Sequence, residues 1–420
     1  MSLTRRLGTA LAALAIAVPV AATATTAEAT PAKNPVVLFP AYHFTKLEVT
    51  VNNQQVAPQC PASGVFEDWY GNQNPNATFG QVCRDTLLTL RYDGTKPNMA
   101  DRFSDQPGVD VNIKDFGKTS SAPYYNDMYN ALEAAGWAKD VNIRVAGYDA
   151  RLTPDMDNFL DRTKALIEDT YNDNGGQRVN LVGHSTGPIY AQYLLTHTTQ
   201  AWKSKYINGF TSIAGNFPGQ GLLYAGLFSG INIHDLNFPQ TAENAASSSK
   251  MLISHPSSYI NAAAPGVFGN SEVVIADAST GKQYTPNDAH ELMTAPGMPS
   301  YAAEVADYYL GFVKFLDAAH YPNVDVHAEI ASGLDTLVGI TLPTLATGHP
   351  FDSNLPMFTT DGDGNQEKTT NESVKAWANM SCHKFDLTNT PGVHHLNLSS
   401  NAALLQRLVD HADDIPLVCA

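Results

Sequence analysis

The sequence predicts an α/β protein, a mostly parallel sheet with helices on both faces, and three observations carry that prediction. Short apolar runs alternate with helical patterns through the first half of the chain. One run, residues 179–182, stops on Gly183-His184-Ser185-Thr186-Gly187 and gives way to an apolar helical pattern ending at Leu195. Carboxylates and then imidazoles follow far downstream, at residues 361–363 and 394–395. Runs without polar alternation belong to strands buried on both faces, and strand–helix alternation calls for parallel pairing.

The elements follow in order. Val36-Val37-Leu38-Phe39 is a buried-strand run ending at Pro40. Residues 53–82, rich in Asn, Gln, Pro and Gly, form a surface loop (about 50–85 with its flanks) enclosed by Cys60 and Cys83. Trp69 and Tyr70 are its candidate exposed aromatics, although a tryptophan folded onto the core reads equally well. A helix is expected over 124–136, closed by glycine, then a strand over 141–145 and a helix from about 153–155 with Phe159, Leu166, Ile167 and Tyr171 on one face. Gly175-Gly176 ends that helix, and residues 179–182 form the next strand. From about 216 to 323 the pattern loosens into Gly, Ala, Ser and Asn with helical fragments such as 301–319, an inserted cap over the sheet. Residues 324–330 alternate as a returning strand, and 401–409 are helical.

The 420 residues, 43% hydrophobic and 16% charged, suffice for one elaborated domain with a large core. Residues 1–29 read as a signal peptide: Arg5 and Arg6, an apolar run over about 7–22, and Ala27-Glu28-Ala29 as a cleavage site, with Sec or twin-arginine export left open. The run is shorter than a bilayer span. Residues 30–420 then form a secreted, extracellular single domain. Loss of the signal removes two arginines and one glutamate from the 25 basic and 41 acidic side chains, leaving about −17. That charge repels nucleic acid and anionic membrane surfaces, while zwitterionic partners remain compatible. Four cysteines in an exported chain imply two disulfides. Three pairings are open, and neighbour pairing, Cys60–Cys83 and Cys382–Cys419, is preferred. Their spacing provides no zinc or thiol-redox motif.

Ser185 is the chemical centre. A serine hydroxyl is a poor nucleophile until a base takes its proton, and a sharp strand-to-helix turn lifts it clear of the sheet for that purpose. Glycines two positions either side relieve collisions in such a turn. The pentapeptide alone is a loose pattern, but a strand before it and a helix after it make the α/β-hydrolase nucleophile elbow. In that fold the acid and then the histidine follow the serine at the ends of later strands. Asp361 and Asp363 lie on a glycine turn, and His394 and His395 come about thirty residues later. Asp361, Asp363, Asn365 and Glu372 also stand at positions 1, 3, 5 and 12 of an EF-hand-like loop, a competing calcium reading weakened by Gln366 where the turn calls for glycine.

Further stretches resemble the lecithin:cholesterol acyltransferase family, which includes lysosomal phospholipase A2. Pro107-Gly108-Val109, Phe116-Gly117-Lys118-Thr119 and Tyr148-Asp149-Ala150-Arg151-Leu152 look like its "PGV", "FGKT" and "YDWRL" segments, with Ala150 replacing tryptophan. Residues 200–210 are similar to the segment after its nucleophile helix. Pro188 departs from the small residue usual there. The resemblance implies Ser185 as nucleophile, Asp363 as acid and His395 as base, with backbone N–H groups of His43 and Thr186 as the oxyanion hole. The loop Pro40-Ala41-Tyr42-His43-Phe44 lacks both glycines of the family's "PGxxG", and Gly215-Asn216-Phe217-Pro218-Gly219-Gln220 departs from its "GAPWGG". The resemblance also implies that Cys60 and Cys83 close a membrane-contacting loop carrying Trp69, and that residues near 222–240 act as a mobile lid. The family's second disulfide does not carry over, because Ala328 and Val374 fall near those positions, so Cys382 and Cys419 pair differently.

The expected activity is phospholipase A-type cleavage of glycerophospholipid esters through an acyl-enzyme, on a membrane or lipid surface, without a metal, a cofactor or an obligate protein partner. Acyl transfer to a sterol or another lipid alcohol is the alternative, and a non-catalytic lipid- or calcium-binding hydrolase-like protein is the third reading.

Overall fold

The computed structural model of the chain describes residues 33–70, 80–231, 241–268, 272–312, 320–346, 355–379 and 383–413. The expected signal-peptide segment, Cys382, Cys419 and the 232–240 half of the expected lid lie outside the described residues.

Six strands form the central sheet: β1 (Val36–Phe39), β2 (Ile143–Val145), β3 (Val179–His184), β4 (Ile207–Ile213), β5 (Val326–Ile330) and β6 (Phe385–Asn389). Their order is β6-β5-β4-β3-β1-β2, with every neighbouring pair parallel. Successive side chains of a strand point to opposite faces. Accordingly Val37 and Phe39 of β1 and Leu181 of β3 enter one core, while Val36, Leu38 and Val182 enter the other. Helices α2 (Phe159–Asp173) and α3 (Gly187–Thr196) cover the first face. Helices α1 (Asn126–Ala134) and α4 (Ala402–Ala412) cover the second.

The expected elements are present with shifted edges. Helix α2 starts at Phe159 rather than near residue 153, because Asp157 and Asn158 both adopt left-handed φ of 50° and interrupt the turn before it. The inserted segment holds the helices Leu222–Ser229, Ala242–Ser254 and Pro256–Asn261, and it is joined by a second sheet that the sequence reading did not foresee. That sheet orders Gln283–Tyr284, Ile275–Asp277, Leu334–Leu342 and Met357–Gly362. Two of its strands therefore come after β5, beyond the expected cap boundary at 323. The first part of the expected lid is a wholly buried helix, Leu222–Ser229, so these residues are core rather than cover.

Cys60 and Cys83 are disulfide-bonded, tying the strand pair Leu47–Val51 and Gly64–Asp68 to the helix Gly80–Leu88. Trp69, partly exposed, follows that second strand with the Lys46 ammonium 5.8 Å from its ring centre. Among the described residues no helix is long and apolar enough to cross a membrane.

Candidate active site

Ser185 follows β3 and precedes α3 with φ of +60°, a left-handed conformation that a non-glycine residue adopts only where its surroundings impose it. The surroundings are visible. A Cβ on Gly183 would come within 2.6 Å of the Pro188 nitrogen, and one on Gly187 within 2.0 Å of the Phe39 carbonyl oxygen. The turn is thus pressed against the end of β1, and only glycine fits on either side of the serine. Pro188 lies in the first turn of α3, where no N–H is required, so its departure from the family pattern costs the helix nothing. The Ser185 N–H donates to the Ile213 carbonyl and the Asn216 N–H to the Ser185 carbonyl, which fixes the elbow to β4.

Asp363 and His395 meet although thirty-odd residues separate them. His395 Nδ1 lies 2.8 Å from Asp363 Oδ2, and the His395 N–H donates to the Asp363 carbonyl at 2.8 Å. The other carboxylate oxygen, Oδ1, accepts the backbone N–H groups of Asn365 (3.0 Å) and Gln366 (2.7 Å), while the Asn371 amide donates to Oδ2 at 3.1 Å. Burial alone would raise the Asp363 pKa, but the interaction with His395 and these donors outweigh it and hold the group below the usual carboxylate range. With Nδ1–H given to Asp363, His395 Nε2 keeps its lone pair, and that atom is buried without a partner among the described residues. The Gln366 amide, 3.4 Å from Ser185 Oγ, links the acid's loop to the serine. No hydrogen bond joins Oγ to Nε2 in this arrangement; such bonds are often long before substrate binds and close in the complex.

Asp363 follows a later strand, but that strand, Met357–Gly362, belongs to the second sheet, whereas His395 follows β6 of the central sheet.

The other members of the two adjacent pairs, Asp361 and His394, have different contacts. Asp361 is exposed, accepts the Gly333 N–H and faces Lys368 at 3.2 Å. His394 caps the 3₁₀ turn His395–Ser400 by accepting the Leu396 N–H. Burial, then the neighbouring His395, lowers its basicity. Its ring packs so closely on Gly364, φ +88°, that a Cβ there would be 2.4 Å away. The calcium reading fares badly on the same evidence: Asp361 and Glu372 pair with lysines and Asp363 with His395, so the carboxylates do not converge on one point.

A polar relay not foreseen from the sequence braces the site. The Ala41 N–H donates to Tyr125 Oη at 2.8 Å, that hydroxyl meets His184 Nδ1 at 3.0 Å, and His184 Nε2 meets the His395 carbonyl at 3.2 Å. Burial, then repulsion from His395, pushes the His184 pKa down to about 3, so the imidazole is neutral. Nε2–H then donates to the carbonyl and Nδ1 accepts from Tyr125, a single tautomer that joins the end of β3 to two segments distant in the chain. His184 stood inside the quoted pentapeptide, but no spacing rule announces a partner so distant in the chain.

The loop of residues 40–44 closes on itself, with the Phe44 N–H donating to the Ala41 carbonyl and His43 at φ +60°. Lacking the family's glycines, it is held from outside: Tyr148 donates to the Pro40 carbonyl, and His43 is buried with Nδ1 3.9 Å from Asp68. The Thr186 backbone N–H has no acceptor among the described residues. The Thr186 hydroxyl bonds Asn261, which also takes the Asn216 amide and so ties the altered 215–220 stretch to the elbow. A cavity of about 430 Å³ beside Arg151 and Phe116 contains none of Ser185, Asp363 or His395.

Comparisons with known proteins agree with this architecture. The lecithin:cholesterol acyltransferase family model matches residues 94–328, more than half of the chain and inclusive of Ser185; Asp363 and His395 lie beyond the matched span. The chain is 27% identical over 396 residues to a phosphatidylcholine-sterol acyltransferase of Gallus gallus, covering 89% of each. It is 28% identical over 337 residues to the lysosomal phospholipase A and acyltransferase of Homo sapiens, covering 76% of each. The crystal structure of the Tle4-Tli4 complex contains a chain of similar fold, with a TM-score of 0.54 at 12% identity, covering 90% of this chain and 98% of that one. The protein is an enzyme of the esterase or acyltransferase class on an α/β-hydrolase fold, and its chain belongs to the lecithin:cholesterol acyltransferase family.

Proposed function

We propose that the protein is an exported serine lipid acyl hydrolase that cleaves fatty acyl esters of glycerophospholipids in phospholipase A fashion. The observation that carries this reading is the buried Asp363–His395 pair, linked to the left-handed Ser185 through Gln366, whose backbone N–H donates to Asp363 and whose amide lies 3.4 Å from Ser185 Oγ. Ser185 Oγ attacks the ester carbonyl while His395 Nε2 takes its proton, and Asp363 stabilises the imidazolium. The oxyanion is received by the N–H groups of Thr186 and His43. As the intermediate collapses, Nε2 returns the proton to the leaving lysophospholipid alkoxide. Water, deprotonated by the same nitrogen, then releases the fatty acid. This cycle requires no metal or organic cofactor.

The substrate class rests on the relatives, whose names specify phosphatidylcholine-sterol acyltransferase and phospholipase A chemistry. A net charge of −16 over the whole chain favours a zwitterionic headgroup over an anionic one. Trp69, within the disulfide-closed loop, is the lipid-contact candidate. Export is supported by the leader and by a disulfide that an oxidising compartment favours. Transfer of the acyl group to a sterol or other alcohol is the second reading, favoured by the acyltransferase relatives and by the burial of Ser185, which limits access of water.

Mass spectrometry of products from phosphatidylcholine vesicles with and without sterol tests both. Free fatty acid and lysophospholipid in both samples support hydrolysis, and sterol ester in the second supports transfer. If neither forms and a fluorophosphonate probe leaves Ser185 unlabelled, the protein is not a serine acyl hydrolase or acyltransferase.

A further inference from the structure

A second cluster of chemistry-bearing side chains lies away from the triad. His327 and Asp386 are register partners on the adjacent strands β5 and β6, so they share one face of the sheet. His327 Nδ1 is 3.0 Å from Asp386 Oδ2. His411 of α4 stacks on the His327 ring with centroids 3.7 Å apart, and one donor atom from each of the three residues lies within 4.8 Å of the others. Among the described residues no other group of three His, Cys, Asp or Glu side chains converges in this way. One turn earlier in α4, Arg407 makes a two-point ion pair with Glu329 of β5, which fixes the helix against the strand.

We propose that His327, Asp386 and His411 bind a borderline divalent transition metal, Zn²⁺ being the best match, which pins α4 to the edge of the central sheet. Two imidazole nitrogens and one carboxylate oxygen suit Zn²⁺ and not Ca²⁺ or Mg²⁺, which take oxygen ligands. Ligand distances of about 2.0–2.1 Å place neighbouring donors roughly 3.3 Å apart in a tetrahedral site. The His327–Asp386 pair already has that spacing. His411, partly exposed in the last turn of its helix, needs only to pivot its ring from the stacked position, and a water molecule completes the coordination. The Lys384 ammonium, now 3.1 Å from Asp386 Oδ2, yields to the ion; both side chains are 41% exposed, so it can move into solvent. The site is separate from the proposed catalytic centre, because His327 and Asp386 are the second residues of β5 and β6, at the end of the sheet opposite the strand ends that Ser185 and His395 follow.

The test is calorimetric titration of the chelator-treated protein with Zn²⁺, paired with the visible absorption of bound Co²⁺ and a thermal melt. One equivalent should bind and raise Tm. Asp386→Asn and His411→Gln, at partly exposed positions, should each weaken binding by about 10- to 100-fold or more. His395→Ala should leave the stoichiometry unchanged, which separates this site from the catalytic imidazole. The proposal is overturned if the wild type takes up no Zn²⁺, if binding survives His327→Gln/His411→Gln, or if His395→Ala abolishes it. Should the double variant not fold, unaltered binding in both single variants would overturn it equally.

Discussion

Asp363→Asn is the most demanding test of the proposed triad, because the structure dictates how the new amide must sit. Oδ1 of Asp363 accepts two backbone N–H groups, from Asn365 and Gln366. An amide NH₂ cannot accept them, so the asparagine oxygen takes that place and its NH₂ replaces Oδ2, facing His395 Nδ1. Two donors cannot share the 2.8 Å contact now made there. The imidazole must therefore move its proton to Nε2, where it can no longer deprotonate Ser185. Loss of the correct tautomer in a serine triad costs about 10⁴-fold in kcat, equivalent to roughly 5.5 kcal/mol of transition-state stabilisation. Initial rates on a chromogenic short-chain ester and on phosphatidylcholine vesicles measure the effect, with circular dichroism to verify folding. Fluorophosphonate labelling of Ser185 should slow in parallel. A folded variant retaining more than about a tenth of wild-type kcat would refute Asp363 as the orienting acid.

Other expectations follow from the same contacts. Asp361→Asn removes only an exposed partner of Lys368, so turnover should change by less than about threefold. A calcium chelator should likewise leave hydrolysis intact, and its abolition in this assay would revive the ion-binding reading. His184→Phe deletes the relay between Tyr125 and the His395 carbonyl and strands a buried hydroxyl; kcat should fall about 10- to 100-fold with a stability loss of about 1–3 kcal/mol, checked by kinetics and urea melts. Burial lifts the Glu367 pKa from 4.5 to about 8, so over that range the folded chain keeps a proton that the unfolded chain has released. Stability should decline as pH rises through that window, by at most about 1.4 kcal/mol per pH unit, and level off above it. Glu367→Gln should flatten the decline in denaturant melts, and an unchanged slope would exclude Glu367 as its source. Cys60→Ser/Cys83→Ser releases a closed loop with a separation of 23 residues and should lower stability by about 3 kcal/mol, read from the shift in denaturation midpoint.

Much of this protein was legible in its sequence. Apolar runs of strand length at 36–39 and 179–182 announced strands buried on both faces, and alternation over 324–330 announced a third. The glycines of the elbow announced Ser185 because a backbone carbonyl and a proline leave no space for a Cβ there. Boundaries were less legible. Left-handed residues at 157 and 158 delayed α2, and strands after β5 joined the cap segment in a sheet whose pairing partners are far apart in the chain.

Local chemistry in the sequence determined most strands and helices, the candidate nucleophile and the short list of candidate acids and bases, since each depends on neighbours within a turn or two. The family resemblance implied Asp363 over Asp361 and His395 over His394, but only the tertiary structure displays the contact between Asp363 and His395, because adjacent residues differ little in sequence but point to different surroundings once folded. The relay through Tyr125 and His184, and the meeting of His327, Asp386 and His411, belong to the same category. A hydrogen bond or a coordination site needs atoms within a few ångströms, and packing of the completed sheet and helices sets that distance.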